Sequence, residues 1–258
     1  MLTNSLFAAL ELDGIAIKPS ETDISHLSNS PFDQIIIDYE GMDVLPDRRE
    51  IEELADEKTV HLTTPVRASS FDPIADRGSR MKVPSTINRI FVAGNPKYLT
   101  ESEQNKTIQP RIVTATDRHP FAWVGTEGIE RIALATGNPQ FELLSPTTES
   151  NILHLRACGV EVDINVYAPA VIDSSKDRIL DTLGEYVARR SEVRKALPAN
   201  SSLDGSATGK TRRILLQAIN NYALVGDVDA INQQITKLYE IGVSNVIIYP
   251  AGGSISPT

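Results

Sequence analysis

Cysteine is nearly absent: the 258 residues hold one, Cys158, which excludes an internal disulfide and a cysteine-rich metal site. Aromatic residues are sparse at 5%, with a single tryptophan. No apolar run approaches the ~18 residues that a membrane span requires. The start, Met1-Leu-Thr-Asn-Ser, lacks the basic segment and long apolar core of a signal peptide. Basic residues are outnumbered, 25 Lys and Arg against 34 Asp and Glu, for a net charge of −9. A nucleic acid is repelled by such a surface on average. The four histidines, His26, His61, His119 and His154, show no metal-ligand spacing. What remains is a soluble, cytoplasmic protein, with no nucleic acid and no membrane as partner. Its 41% hydrophobic and 23% charged residues are ordinary for a globular chain.

Against these absences stand eight short apolar runs in a regular rhythm: Leu12 to Ile17, Phe32 to Ile37, Thr59 to Leu62, Arg89 to Ala93, Phe121 to Val124, Gln140 to Leu144, Val162 to Tyr167 and Asn245 to Tyr249. Most are continuous and rich in Ile and Val, as strands buried on both faces are. Helical patterns separate several of them. Arg48 to Glu57 is charged with an apolar stripe, and Glu127 to Thr136 sets Ile129, Ile132, Leu134 and Ala135 mostly on one side. Ser145-Pro146 predicts a helix start, with the helix running to Cys158 and stopping at Gly159. Asp227 caps Val228 to Ile241, which ends at Gly242. Strands alternating with helices imply βαβ units. Eight of them in this length predict an α/β protein: a single (β/α)8 TIM barrel over residues 1–258 with mostly parallel strands. Ser69 to Thr86 is the weakest stretch, and Pro198 to Lys210 reads as a loop between two helices.

Ligands of such barrels bind at the C-terminal ends of the strands. That selects Lys18, Asp38-Tyr39-Glu40, Thr63-Thr64-Pro65-Val66, Gly94-Asn95, Gly125-Thr126-Glu127-Gly128, Ser145, Ala168-Pro169 and Pro250 to Gly253. The glycine-bounded turn at 125–128 leads from a strand straight into a helix, where free N–H groups and the helix dipole favour a phosphate. Other features are set aside. Gly205 to Thr211 resembles a P-loop, but the first required glycine falls on Asp204 and no buried strand precedes it. Cys158 is expected to be a buried, inert thiol. Arg189-Arg190 with Arg194-Lys195 reads as a solvated helix face, or as a contact for a cofactor tail.

The run AWVGTEGIERIALATGNPQFELLSPTTE resembles the middle of the bacterial luciferase-like superfamily, and YALVGDVDAINQQITKLYEIGVSNVIIYPAG resembles its last helix and strand. The likeness covers Ala122 to Gly252 and is closest to the methylenetetrahydromethanopterin reductase-like branch. It implies an oxidoreductase that passes a hydride between bound coenzyme F420 (alternatively FMN) and a small organic substrate, and it implies a homodimer. By that likeness Asp38 and Tyr39 match an Asp-His pair near the reactive ring, with a phenol in place of the imidazole. Thr64, Pro65 and Val66 match a bulge with a cis peptide that backs the ring. Gly94 and Asn95 line the floor, and Gly125, Thr126, Glu127 and Gly128 hold phosphate. The chain is shorter than its relatives, which keeps two other readings open. One is a degenerate barrel that binds a ligand or partner without turnover. The other is a phosphate-binding barrel enzyme of isomerase or aldolase type, with Lys18 and Glu40 as its available groups.

Overall fold

The computed structural model describes residues 7–67, 84, 87–94, 101–104 and 107–252. Each of the eight apolar runs forms a strand: β1 Gly14–Ile17, β2 Gln34–Ile37, β3 Thr59–Pro65, β4 Asn88–Val92, β5 Trp123–Gly125, β6 Gln140–Leu143, β7 Ile164–Ile172 and β9 Asn245–Pro250. They pair in parallel in the ring order β1-β2-β3-β4-β5-β6-β7-β9, and β9 returns to β1. This closed eight-stranded parallel barrel with surrounding helices is a TIM barrel. A ninth strand, β8 Leu224–Gly226, sits outside the ring and pairs only with the end of β7.

Side-chain alternation divides the apolar residues between two compartments. Ala16, Ile36, Ile90, Trp123 and Ile247 fill the inside of the barrel, with Val92, Phe141, Tyr167 and Tyr249 packed on them. Their strand neighbours Ile15, Ile17, Ile35, Ile37, Val166, Val246 and Ile248 face outward to the helices. Two of those helices show how the sequence sets them. α1, Arg48–Ala55, buries Ile51 and Leu54 and carries Arg48–Glu52 and Arg49–Glu53 pairs one turn apart. α9, Val228–Glu240, is capped by the Asp227 carboxylate, which accepts from the Ala230 N–H, and it buries Ile231, Ile235 and Leu238. The remaining helices among the described residues are α2 Glu101–Gln104, α3 Ile108–Arg118, α4 Glu130–Thr136, α5 Thr148–Ala157, α6 Lys176–Ala188, α7 Ser191–Ala196 and α8 Gly209–Tyr222. Residues 197–208 form the loop between α7 and α8, matching the Pro198 to Lys210 segment except that Gly209 and Lys210 open α8.

Several expectations are corrected. β7 runs five residues past Tyr167, so Ala168-Pro169 lies inside a strand. It does so because its edge changes partner, from β6 up to Tyr167 to β8 from Ala170 onward. Pro169 falls in the gap between the two, where no N–H is needed. α4 starts at Glu130 and not at Glu127, because Gly128 takes a positive φ of 73° that interrupts the helix. Its Leu134 is 37% exposed, so the apolar stripe is narrower than its sequence suggests. α5 starts at Thr148, two residues after Pro146, since the Ser145 N–H donates to the Thr148 hydroxyl in a preceding turn. The Thr64–Pro65 and Pro65–Val66 bonds are both trans. There β3 continues in register against β4, Pro65 opposite Val92, and the Val66 N–H donates to the Val92 carbonyl. Cys158 is exposed, because it ends α5 beyond the buried Ile152. Asn95, Gly253 and most of Ser69 to Thr86 lie outside the described residues.

Candidate functional site

The C-terminal mouth of the barrel gathers charged and phenolic groups above an apolar floor. Trp123, Phe141 and Tyr167 form a row of rings across that floor, with centroids 6.0 and 5.6 Å apart. At the rim β2 ends and Asp38 follows. The Tyr39 N–H donates to Thr63 Oγ1 at 2.7 Å, and that hydroxyl donates to Asp38 Oδ1 at 3.1 Å. The relay fixes the carboxyl between β2 and β3. Burial raises the Asp38 pKa, against the opposing pull of the Thr63 hydrogen bond and the Lys18 charge, so it stays protonated to higher pH than an ordinary aspartate.

Lys18, at the end of β1, donates to Glu21 Oε1 and to the Tyr249 hydroxyl, each at 3.0 Å, and lies 4.3 Å from the Tyr249 ring centre. Tyr249 in turn donates to Glu21. Burial opposes the ammonium, but the hydrogen bonds to Tyr249 and Glu21 outweigh it and the Lys18 pKa is raised. Glu40 accepts from the Ser20 N–H at 2.9 Å. Tyr167 is held well above the usual phenol range by burial, with Asp38 adding to the shift, and it remains a neutral hydroxyl.

The sequence-selected residues divide between two places. Asp38 belongs to the mouth, with Pro65 on the inward face shared by Thr63 and with Gly94 just past the end of β4. The Tyr39 ring packs instead on the core between barrel and helices. Thr64 is buried with its hydroxyl donating to the Leu62 carbonyl, and Val66 packs on the helix side with Phe91 and Ile112. Thr63 joins Asp38 as a strand-end residue the sequence selects, whereas Tyr167, Tyr249 and Glu21 are not among the selected residues. The strand register, which sets inward against outward, brings Tyr167 and Tyr249 to the mouth, and the turn after β1 brings Glu21.

Of the turn Gly125, Thr126, Glu127 and Gly128, the two middle residues line a second space, a cavity of about 540 Å³ at the ends of β5 and β6. Thr126, Glu127, Glu130, Glu142, Ser145, Thr147 and Arg190 are among its lining residues. Gly125 is required for packing, since a Cβ there meets Val92 Cγ1 at 2.9 Å. The Gly128 N–H donates to Glu130 Oε1 at 3.1 Å, the Ile129 N–H to the Thr126 carbonyl, and the Thr126 N–H to the Phe141 carbonyl. Arg190 is no solvated helix residue. Its guanidinium lies over the Tyr186 and Tyr222 rings and donates to Glu127 and to the Tyr186 hydroxyl, each at 2.9 Å. Burial raises the Glu142 pKa. The Gly128 N–H and the Arg190 Nη1 are thus already paired with the chain's own carboxylates.

No group of three or more His, Cys, Asp or Glu that could hold a metal ion occurs among the described residues, and none of their helices is long and apolar enough to cross a membrane. Residues 7–256 match the model of a family described as "Family of unknown function (DUF7388)". No curated protein matches the sequence. Among solved structures, the chain is similar to the coenzyme F420 dependent tetrahydromethanopterin reductase from Methanopyrus kandleri. That likeness has 14% sequence identity, a TM-score of 0.58 and coverage of 92% of each chain. At that identity it shows the fold.

Proposed function

We propose that this chain, which belongs to the family of unknown function DUF7388, is an oxidoreductase. Its barrel mouth would hold coenzyme F420, or alternatively FMN, against a small organic substrate. The observation that carries the reading is the pairing in one mouth of a floor of aromatic rings with a half-buried, oriented carboxyl. The shared fold with an F420 dependent reductase supports it. Phe141 and Tyr167, partly exposed beside the buried Trp123, are the apolar surface on which a flat ring system would lie. An anionic arm would meet Arg190 and the Ser145 and Thr147 hydroxyls beside the Gly125–Gly128 turn, in competition with Glu127 and Glu130.

The cofactor, when bound, supplies hydride transfer. The protein's own share is proton handling and charge. Asp38, protonated more readily than an ordinary aspartate and aimed by Thr63, is the proton donor and acceptor of the mouth. Tyr39 contributes its N–H to that relay and not its phenol. Lys18, held as a cation by Glu21 and Tyr249, stabilises negative charge that develops nearby. The same raised pKa argues against an imine-forming, aldolase-type lysine, which needs its ammonium destabilised.

Titration with F420 and with FMN, followed by fluorescence, tests the reading. Saturable binding of at least one, weaker for riboflavin than for FMN, is the expected result. Asp38→Asn should keep that affinity while abolishing reduction of the bound cofactor by any substrate found. Absence of binding by both would leave the barrel as a ligand or partner binder without turnover.

A further inference from the structure

His61 lies on β3 two residues before Thr63 and on the same inward face, with 4% of its surface exposed. About 7 Å of strand separates the two positions, which sets the imidazole one layer beneath the Asp38 relay. Its ring lies 4.1 Å from the Trp123 ring, tilted by 36°. Neither Nδ1 nor Nε2 has a hydrogen-bond partner among the described residues. Burial lowers its pKa to about 4, so the ring is neutral, with one N–H to give and one bare nitrogen to accept.

A buried side chain with both polar atoms unmatched is rare and unfavourable. Space filling does not account for it. Ala16, Ile36, Ile90 and Ile247 fill inward positions of the same barrel interior, and an apolar residue would serve the packing as well. Nor is the ring an ion-pair partner, since its register neighbours are the uncharged Ile36 on β2 and Asn88 on β4, with the Trp123 ring against it.

We infer that His61 is a ligand-contacting residue in the floor of the mouth, its nitrogens reserved for uncharged polar groups of the bound molecule, such as the carbonyl or N–H of a heteroaromatic amide. The inference rests on the reading that the mouth takes a ligand, and it adds what the inner end of that ligand carries. A charged group would find no compensation at this depth. Charge belongs at the rim, with Lys18 and Asp38. A single ring system is long enough to reach from the Asp38 carboxyl to His61.

His61→Phe keeps a ring against Trp123 and removes both nitrogens. In the ligand-free protein its melting temperature should equal or exceed that of the native chain, because two unmatched polar atoms are gone. Affinity for whichever of FMN and F420 binds should fall about tenfold, ~1.4 kcal/mol. The His61 ring nitrogens, observed by 15N NMR in the native protein, should shift when that probe is added. A clear drop in the ligand-free melting temperature would assign the nitrogens to the fold and overturn the inference, as would unchanged probe affinity. Should the native chain bind neither FMN nor F420, the oxidoreductase reading fails separately. The NMR measurement then uses uracil and nicotinamide, where a His61 shift with either upholds the inference and none overturns it.

Discussion

Arg156 offers a test of how the barrel is closed. It stands in the last turn of α5, where Nη1 donates to the Val160 carbonyl at 2.8 Å and the Val162 carbonyl at 2.9 Å. Nη2 donates to the Gly242 carbonyl at 2.7 Å. One guanidinium thus ties the exit of α5 and the approach to β7 to the turn between α9 and β9, at the base of the β7–β9 pairing. Gly242 permits it: a Cβ there would lie 3.0 Å from Arg156 Nε, and its φ is +100°. Arg156→Met keeps most of the aliphatic stem and removes all three bonds. Hydrogen bonds to a charged group contribute roughly 1.5–3 kcal/mol each. The carbonyls are only partly buried and regain water in the variant, so the net loss is about 3 kcal/mol and not the sum. For a chain of this size that lowers the melting temperature by about 6–12 °C. Urea unfolding followed by circular dichroism should show a lower midpoint with an unchanged slope. Arg156→Lys, whose ammonium cannot span three acceptors, should recover only part of the loss. A loss under ~1 kcal/mol for Arg156→Met, the contribution of one ordinary hydrogen bond, would refute the bridging role.

Two further outcomes follow from single positions. Gly184 lies inside α6, where an added Cβ would stand 1.7 Å from the Leu203 carbonyl oxygen. Gly184→Ala gains about 1 kcal/mol of helix propensity but must push backbone aside at a cost of about 3 kcal/mol. A net loss of about 2 kcal/mol in urea unfolding is expected, and a stabilised variant would contradict the close approach. Asp38 sets a pH dependence. Its folded pKa lies above the ordinary 3.8, so the folded state binds more protons and its ionisation lowers stability as pH rises through that window. Asp38→Asn should therefore melt higher than the native chain at pH 8 and nearly equal to it at pH 3.5. Equal melting at both values would show that burial exerts no such penalty.

The barrel was legible because most ring strands are apolar on both faces. Ile35 and Ile37 face the helices and Ile36 faces the interior, so the run is continuous and its length alone marks a strand. β8 escaped notice for the opposite reason: three residues, Leu224 to Gly226, pair only with the end of β7. The extension of β7 was hidden by Pro169, which reads as a terminator but falls where the partner strand changes. At the site, Asp38 was visible as the first residue after β2. His61, Tyr167 and Tyr249 read as strand residues, because a local pattern gives the alternation of faces without saying which face is inside. The strand register, shared among distant segments, decides that.

The same limit explains the Gly125–Gly128 turn. A glycine with positive φ leading into a helix is the backbone of an anion site, and that much is local. The charge around the turn is not local. Glu142 arrives from β6, Glu192 from α7 and Arg190 from the α6–α7 junction. Two donors around the turn have nonetheless found anions: the Gly128 N–H on Glu130 and Arg190 on Glu127. Both carboxylates are on the surface, Glu127 with 74% of its side chain exposed. Exposed pairs contribute little stability, so a phosphate competing for these donors displaces side chains that are weakly held. Repulsion from Glu142 and Glu192 is what it must then overcome, and those residues come from parts of the chain that no reading of the turn includes.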